Sequence, residues 1–277
     1  MPIEKMPYFL YDESLALEYA RGALRIFLPE NGGYINLNLV RSNKPAINCD
    51  VWRTSTAFFC DGDGKDLFAL TSKSAEWDMA ILIKDRPDFI GGYAHGDERM
   101  TDARFYLDGE PIDITAFTEP KGFESIEVTV DSVGYDPKDG ATEVLTHRKE
   151  YRITKDGIKL SQRVRWLGDY TVEKAFLAMM PPTKELTDRY FTDLEQEPRE
   201  ILCPLTLTGV KTLSLYSGKE RFVYRISVSE HPPVEKVSIA DNRTSAYNKV
   251  YFTACENEFV EGGTVWNSVT EYSVSLR

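Results

Sequence analysis

Histidine is scarce in this chain, with three copies in 277 residues, and two of the three stand among groups that can move protons. The first, His95, lies in Asp88-Phe89-Ile90-Gly91-Gly92-Tyr93-Ala94-His95-Gly96-Asp97-Glu98-Arg99. Three glycines within six positions allow close backbone approach, and they place an imidazole beside the carboxylates Asp97 and Glu98. His95 is therefore the first choice for a catalytic residue, with Tyr93 and Glu98 as candidate substrate contacts; the competing reading is a structural turn. The second, His147, belongs to a hairpin running from Glu143 to Trp166, whose alternation separates two faces. One face mixes Leu145, Ile153, Leu160, Val164 and Trp166 with His147, Lys149, Tyr151 and Gln162. So many hydrogen-bonding groups on a core face must reach a cleft or one another. If they reach a cleft, His147 and Tyr151 can transfer protons while Lys149 neutralises a carboxylate or a developing enolate. The other face carries Arg148, Glu150, Arg152, Lys159, Ser161, Arg163 and Arg165, and reads either as a solvated surface or as a shallow anion groove.

A third group, Arg41, Trp52 and Arg53, combines an indole with two guanidiniums, which suits stacking on a sugar ring and pairing with a carboxylate. Trp52 equally suits a core anchor. His95 and Glu98 also have the H-x-x-E spacing of zinc carboxypeptidases, but the following Ala103-Arg104-Phe105-Tyr106-Leu107-Asp108-Gly109 reads as a strand entering a turn, so no metal site is expected. Asp61-Gly62-Asp63-Gly64-Lys65-Asp66 begins like a calcium loop yet lacks its third acidic position and distal Glu, and reads as a plain turn. Cys49, Cys60, Cys203 and Cys255 show no C-x-x-C spacing. They are expected as buried apolar groups, with a Cys49–Cys60 bridge the alternative if the two lie on neighbouring strands.

The elements that must hold these groups are strands. Leu24, Ile26 and Leu28 alternate with Ala23, Arg25 and Phe27; Glu30-Asn31-Gly32-Gly33 supplies a turn, and Ile35, Leu37 and Leu39 return. Phe58-Phe59-Cys60 and Leu67-Phe68-Ala69-Leu70 form a second hairpin around the Asp61–Asp66 turn. In the long hairpin a two-residue turn at Asp156-Gly157 would pair Ile153 with Leu160, Tyr151 with Gln162, Lys149 with Val164 and His147 with Trp166. It would also set Glu150 opposite Arg163. Further strands are expected at Ile126–Val130, Lys174–Met180, Leu213–Tyr216, Arg221–Val228, Lys249–Cys255 and Glu271–Leu276, with short helices at Asp12–Ala20 and Lys184–Leu194. Strands at this spacing predict an all-β fold, an antiparallel β-sandwich or jelly roll with one or two short helices, as one domain over residues 1–277.

Composition narrows the partners. A net charge of −11 argues against general binding to nucleic acid or to an anionic membrane, either of which needs a positive field. No apolar run approaches membrane-spanning length, and Met1–Met6 has no basic region leading into an apolar stretch. The expected setting is thus cytoplasmic or within a larger particle, and a homo-oligomer is left open.

Together, Gly92-Tyr93-Ala94-His95-Gly96-Asp97-Glu98, His147-Arg148-Lys149-Glu150-Tyr151, Trp166 and Ala178-Met179-Met180-Pro181 give residues 35–185 a resemblance to β-sandwich carbohydrate-active proteins. These are polysaccharide lyases, galactose-mutarotase-like sandwiches and phage sugar-binding tail proteins. The resemblance implies an oligo- or polysaccharide ligand and no cofactor. Likeness to the lyases would imply β-elimination from a uronic acid, with Lys149, Arg53 or Arg41 neutralising the carboxylate, His95 or His147 as base, and Tyr151 or Tyr93 as acid. Likeness to the binding proteins would imply recognition without turnover, and an epimerase-like enzyme would need a His and a carboxylate such as Glu98 facing each other across a pocket.

Overall fold

The computed structural model describes residues 15–20, 22–72, 77–92, 94–117, 121–219, 221–230, 236–241 and 246–276. The chain is an all-β sandwich of two sheets, one of 16 strands and one of six. The larger sheet starts at Lys121–Phe123 and passes through Leu15–Ala20, Ala23–Glu30, Gly33–Lys44, Cys49–Cys60, Glu98–Leu107, Ile126–Tyr135, Glu143–Thr154, Gly157–Trp166 and Val265–Leu276. It ends with Phe222–Glu230, Thr212–Tyr216, Arg189–Thr192 and Arg199–Glu200, and off this path Asp66–Ala69 pairs with Cys49–Cys60 and Glu110–Pro111 with Glu98–Leu107. The smaller sheet is ordered Leu205–Thr208, Lys236–Asp241, Asn248–Val260, Tyr170–Met180, Ala80–Ile83, Ile90–Gly91. A short parallel contact, Cys49 with Glu98 and Asp50 with Arg99, joins the two antiparallel runs of the larger sheet.

The hairpins expected from alternation form where their turn residues allow. Asn31-Gly32 closes the first, with Glu30 opposite Gly33, Leu28 opposite Ile35 and Ile26 opposite Leu37. Gly32 sits at φ +83°, a conformation that costs glycine little. The long hairpin turns two residues earlier in register than a turn at Asp156-Gly157 would give. Thr154 pairs with Gly157, so Ile153 faces Ile158, Tyr151 faces Leu160, Lys149 faces Gln162 and His147 faces Val164. An even shift keeps every side chain on its expected face. It does change the outer neighbours: Glu150 faces Ser161, and Arg148 stands directly opposite Arg163.

The two expected helices are not present as such. Leu15–Ala20 is a strand, paired on both sides and buried at Leu15, Ala16 and Leu17; Asp12–Ser14 lie outside the described residues. Lys184–Leu186 makes a single 3-10 turn before the strand Arg189–Thr192. In each case partners in the sheet satisfy the backbone, and a weak local periodicity gives way to tertiary pairing. Cys49 and Cys60 occupy the two ends of one strand, so no bridge can join them, and all four cysteines are free thiols. No described helix is long and apolar enough to cross a membrane.

Among the described residues apolar side chains form three clusters, and the two larger ones divide the long hairpin between them. Tyr151, Ile153, Ile158 and Leu160, near its tip, join a large cluster with Leu24, Ile26, Leu37 and Trp52. Val144, Leu145, Val164 and Trp166, near its base, join a smaller one with Ile81, Ile83, Leu177 and Trp266. Between them, on the same inward face, lie His147, Lys149 and Gln162.

Candidate functional site

That interval is a buried polar belt. Five adjacent strands of the larger sheet send inward Arg53 from Cys49–Cys60, Glu98 from Glu98–Leu107, Ser132 from Ile126–Tyr135, His147 and Lys149 from Glu143–Thr154, and Gln162 from Gly157–Trp166. None of these is more than 3% exposed. Asp78, from the segment entering the smaller sheet, meets them from the opposite side. Lys149 Nζ donates to Asp78 Oδ2 at 2.8 Å and lies 3.4 Å from Glu98 Oε1. His147 Nδ1 is 3.1 Å from Glu98 Oε1, its Nε2 is 3.2 Å from Gln162 Oε1, and Ser132 Oγ donates to Glu98 Oε1 at 2.8 Å. Tyr151 OH donates to Asp78 Oδ2 at 3.3 Å. The Arg53 guanidinium reaches the Gly92 carbonyl and lies 3.6 Å from Glu98 Oε2. Gln162 Nε2 donates to the Leu177 carbonyl of the smaller sheet, as Tyr272 OH does to the Trp77 carbonyl.

Charge balance explains why so much polarity survives in the interior. Two cations, Arg53 and Lys149, face two carboxylates, Asp78 and Glu98, so neither sign is left uncompensated. Burial alone would raise the Glu98 pKa, but Lys149, His147 and Arg53 together hold it well below the usual carboxylate range. Burial likewise disfavours the Arg53 charge, and Asp78 and Glu98 outweigh it, leaving its pKa raised. Burial, reinforced by Asp78 and Glu98 and only partly offset by Arg53, keeps the Tyr151 phenol protonated far above its ordinary range.

The expected catalytic groups therefore divide. His147, Lys149 and Tyr151 come together, with Glu98, Arg53 and Gln162, but they are sealed behind packed side chains and bridge sheet to sheet instead of lining a cleft. His95 is separate. It is half-buried at the surface with Nδ1 against Asp88 Oδ1, its ring 4.9 Å from that of Phe89. The glycines around it act as expected: at Gly96, φ +119°, a Cβ would fall 1.9 Å from the Ile47 carbonyl, and at Gly91 2.6 Å from that of Met79. Tyr93 lies outside the described residues. Among the expected substrate contacts, Trp52 is a core residue packed edge-on to Phe105, and Trp166 is wholly buried against Trp266. Arg41 is exposed but engaged by both oxygens of Asp50, at 2.7 and 2.8 Å. Asp78 escaped the sequence reading; its signal was a lone carboxylate entering the apolar run Met79-Ala80-Ile81-Leu82-Ile83.

The outward face of the same hairpin is open. A groove of about 420 Å³ is lined by Thr101, Asp131, Thr146, Arg148, Arg163 and Arg165. A second depression of about 370 Å³, lined by Glu127, Thr129, Glu150, Arg152, Lys159 and Ser161, continues it towards the hairpin tip. Asp131 binds Arg148 through both oxygens, at 2.6 and 3.0 Å, and Arg104 at 2.8 Å. That compensates Arg148 but not Arg163 opposite it. Among the described residues neither Arg163 nor Arg165 has an ion partner, and both are exposed. Arg163 stands directly opposite Arg148, and Arg165 opposite Thr146.

Comparison with known proteins gives no family model and no curated protein that matches. Solved structures do align. The Slr1438 protein of Synechocystis sp. PCC 6803 is 11% identical over 94% of this chain and 99% of its own, with a TM-score of 0.47. An Escherichia coli K12 protein provisionally described as an aldose 1-epimerase is 10% identical over 91% of this chain and 98% of its own, with a TM-score of 0.43. A glycoside hydrolase family 97 enzyme from Pseudoalteromonas sp. strain K8 is 10% identical over 89% of this chain but only 35% of its own, with a TM-score of 0.48. At these identities and scores the functional reading rests on this chain's own residues.

Proposed function

We propose that the protein recognises a carboxylate-bearing oligo- or polysaccharide along the outward face of the Glu143–Trp166 hairpin, as a binding module. The observation that carries this reading is the pair Arg163 and Arg165, exposed in the groove with no anion partner among the described residues. A guanidinium presents its donors as a planar fork that matches a carboxylate. The rest of the lining selects among anions. Asp131, Glu127 and Glu150 only accept hydrogen bonds when ionised, whereas the arginines and Lys159 only donate. A polyphosphate offers acceptors alone and would be repelled by those three carboxylates. A sugar chain offers hydroxyls that serve both kinds of group and a carboxylate for the free arginines.

Two finer readings fare less well. β-Elimination by a lyase needs a base and an acid at the ligand, and the groove holds only the backbones of His147 and Tyr151, whose side chains are 1% exposed on the opposite face. Epimerisation needs a His and a carboxylate facing across a pocket; Glu98 and His147 face each other in a packed interior. The test is a titration of the purified protein with oligouronates and with neutral oligosaccharides of equal length, followed by calorimetry and by ultraviolet absorbance. Binding of the uronates in preference to the neutral series, with no rise in absorbance from unsaturated product, supports the reading. Preference for the neutral series, or steady accumulation of unsaturated product, overturns it.

A further inference from the structure

A second place in the molecule has the makings of a ligand site and shares no residue with the groove. Outside the smaller sheet, Phe89, His95, Phe176 and Tyr251 surround a depression of about 70 Å³ that is also lined by Ala80, Gly92 and Met179, with Lys249 at its side. The rings come from separate segments: Phe89 and His95 from the turns flanking Ile90–Gly91, Phe176 from Tyr170–Met180, and Tyr251 from Asn248–Val260. Phe176 lies 4.5 Å from Tyr251, tilted by 31°, and 6.2 Å from Phe89, nearly parallel at 16°. All four are half-buried, so each keeps part of its ring open to solvent.

The polar group in this hollow is oriented. Asp88 holds His95 at Nδ1, which fixes the ring. Nε2 makes no hydrogen bond to any described residue. Gly92, at φ +69°, leaves the space beside this edge of the ring: a Cβ there would meet His95 Cδ2 at 3.2 Å. The hollow thus offers aromatic faces for stacking and one fixed polar edge for a hydroxyl, which can donate or accept, with the Lys249 ammonium 5.9 Å from the Tyr251 ring centre.

From this geometry we propose that the depression is a separate subsite for a single neutral pyranose. The ring's C–H face would lie on Phe176 and Tyr251, and one hydroxyl would hydrogen-bond to His95 Nε2. The volume admits the edge of one ring, so the rest of the sugar would remain in solvent and affinity would be low. Lys249 argues against a cationic occupant, and the absence of an arginine fork distinguishes this site from the groove. A glycan carrying both acidic and neutral sugars could then be held at two faces of the sandwich, gaining avidity if it spans them.

The experiment is saturation-transfer NMR on the full chain with a panel of methyl glycosides of glucose, galactose and mannose, repeated for His95→Ala, His95→Gln, Phe176→Ala and Arg163→Ala. At least one glycoside should receive saturation. His95→Ala and Phe176→Ala should each weaken its binding by about tenfold, as expected for one lost hydrogen bond or stacking partner. His95→Gln should restore part of the loss, because the Gln amide can donate to or accept from a hydroxyl, and Arg163→Ala should leave it unchanged. Far-ultraviolet dichroism and thermal unfolding report whether each variant is folded, and His95, on an exposed turn, is the variant least able to disturb the core. No saturation transfer to any glycoside, or equal binding by wild type and His95→Ala, overturns the proposal whatever the outcome for uronates. Loss on Arg163→Ala would place the neutral sugar in the groove and overturn it as well.

Discussion

The two faces of the Glu143–Trp166 hairpin use nearly the same residue types in opposite ways. Inward, Lys149 finds two carboxylates within 3.4 Å, and its neighbours pair their charges across the gap between sheets, with Arg53 Nε and Glu98 Oε2 left without a hydrogen bond among the described residues. Outward, Arg148 is satisfied by Asp131 while Arg163 and Arg165 are left waiting. The inner face closes its accounts within the protein, and the outer face does not. The contrast teaches that a concentration of polar side chains on a strand marks structure when every charge has an internal partner. It marks recognition when a charge held in place has none.

The largest effect should come from breaking the inner network. Lys149→Met leaves Asp78 and Glu98 buried with less compensation and should lower stability by about 3–5 kcal/mol, measured by urea unfolding. Replacing Asp78 by Leu in that background removes one of the stranded charges and should recover part of the loss; no recovery would mean that Lys149 acts through packing. Next, Glu98→Gln should destabilise by about 2–3 kcal/mol at neutral pH. The sign of its pH dependence follows from the depressed pKa of Glu98. Its contribution is complete above the ordinary carboxylate range, about pH 4.3, and is lost as the pH falls towards the folded value. The gap between wild type and Glu98→Gln should therefore narrow in acid, by up to about 1.4 kcal/mol per pH unit. A gap that widens in acid would contradict the assignment.

Outer-face variants should behave in the reverse manner. Arg163→Ala and Arg165→Ala should each change stability by less than about 0.5 kcal/mol while weakening oligouronate binding about tenfold. Arg148→Ala should change folding by about 0–1 kcal/mol, because its pair with Asp131 is solvent-exposed, and should have the smallest effect on binding. If Arg148→Ala abolished binding as fully as Arg163→Ala, the distinction between engaged and free arginines would fail.

Much of this was legible in the sequence. Period-two alternation gave the strands and both faces of the hairpin, because a sheet reads side-chain direction directly from residue parity. The register was not, since Lys155-Asp156 and Asp156-Gly157 are both acceptable turns and only the partner strands Ile126–Tyr135 and Val265–Leu276 choose between them. That two-residue shift is what sets Arg148 against Arg163. Proximity was partly legible: His147, Lys149, Tyr151 and Gln162 share a face by parity, but their union with Arg53, Glu98 and Asp78 depends on strand order in the sheet. Depth was not legible. Nothing local tells a buried belt of paired charges from a cleft, because the side chains that seal it come from other strands.

The central claim is that the free arginines of the outer face bind an acidic sugar chain while the inner belt serves only the fold. It is tested most directly by titrating one oligouronate into wild type, Arg163→Ala/Arg165→Ala and Glu98→Gln under conditions where all three are folded. The account predicts that the double arginine variant loses nearly all binding with an unchanged unfolding midpoint, and that Glu98→Gln binds as wild type with a lowered midpoint. Binding that survives in the double variant, or that disappears in folded Glu98→Gln, would contradict it.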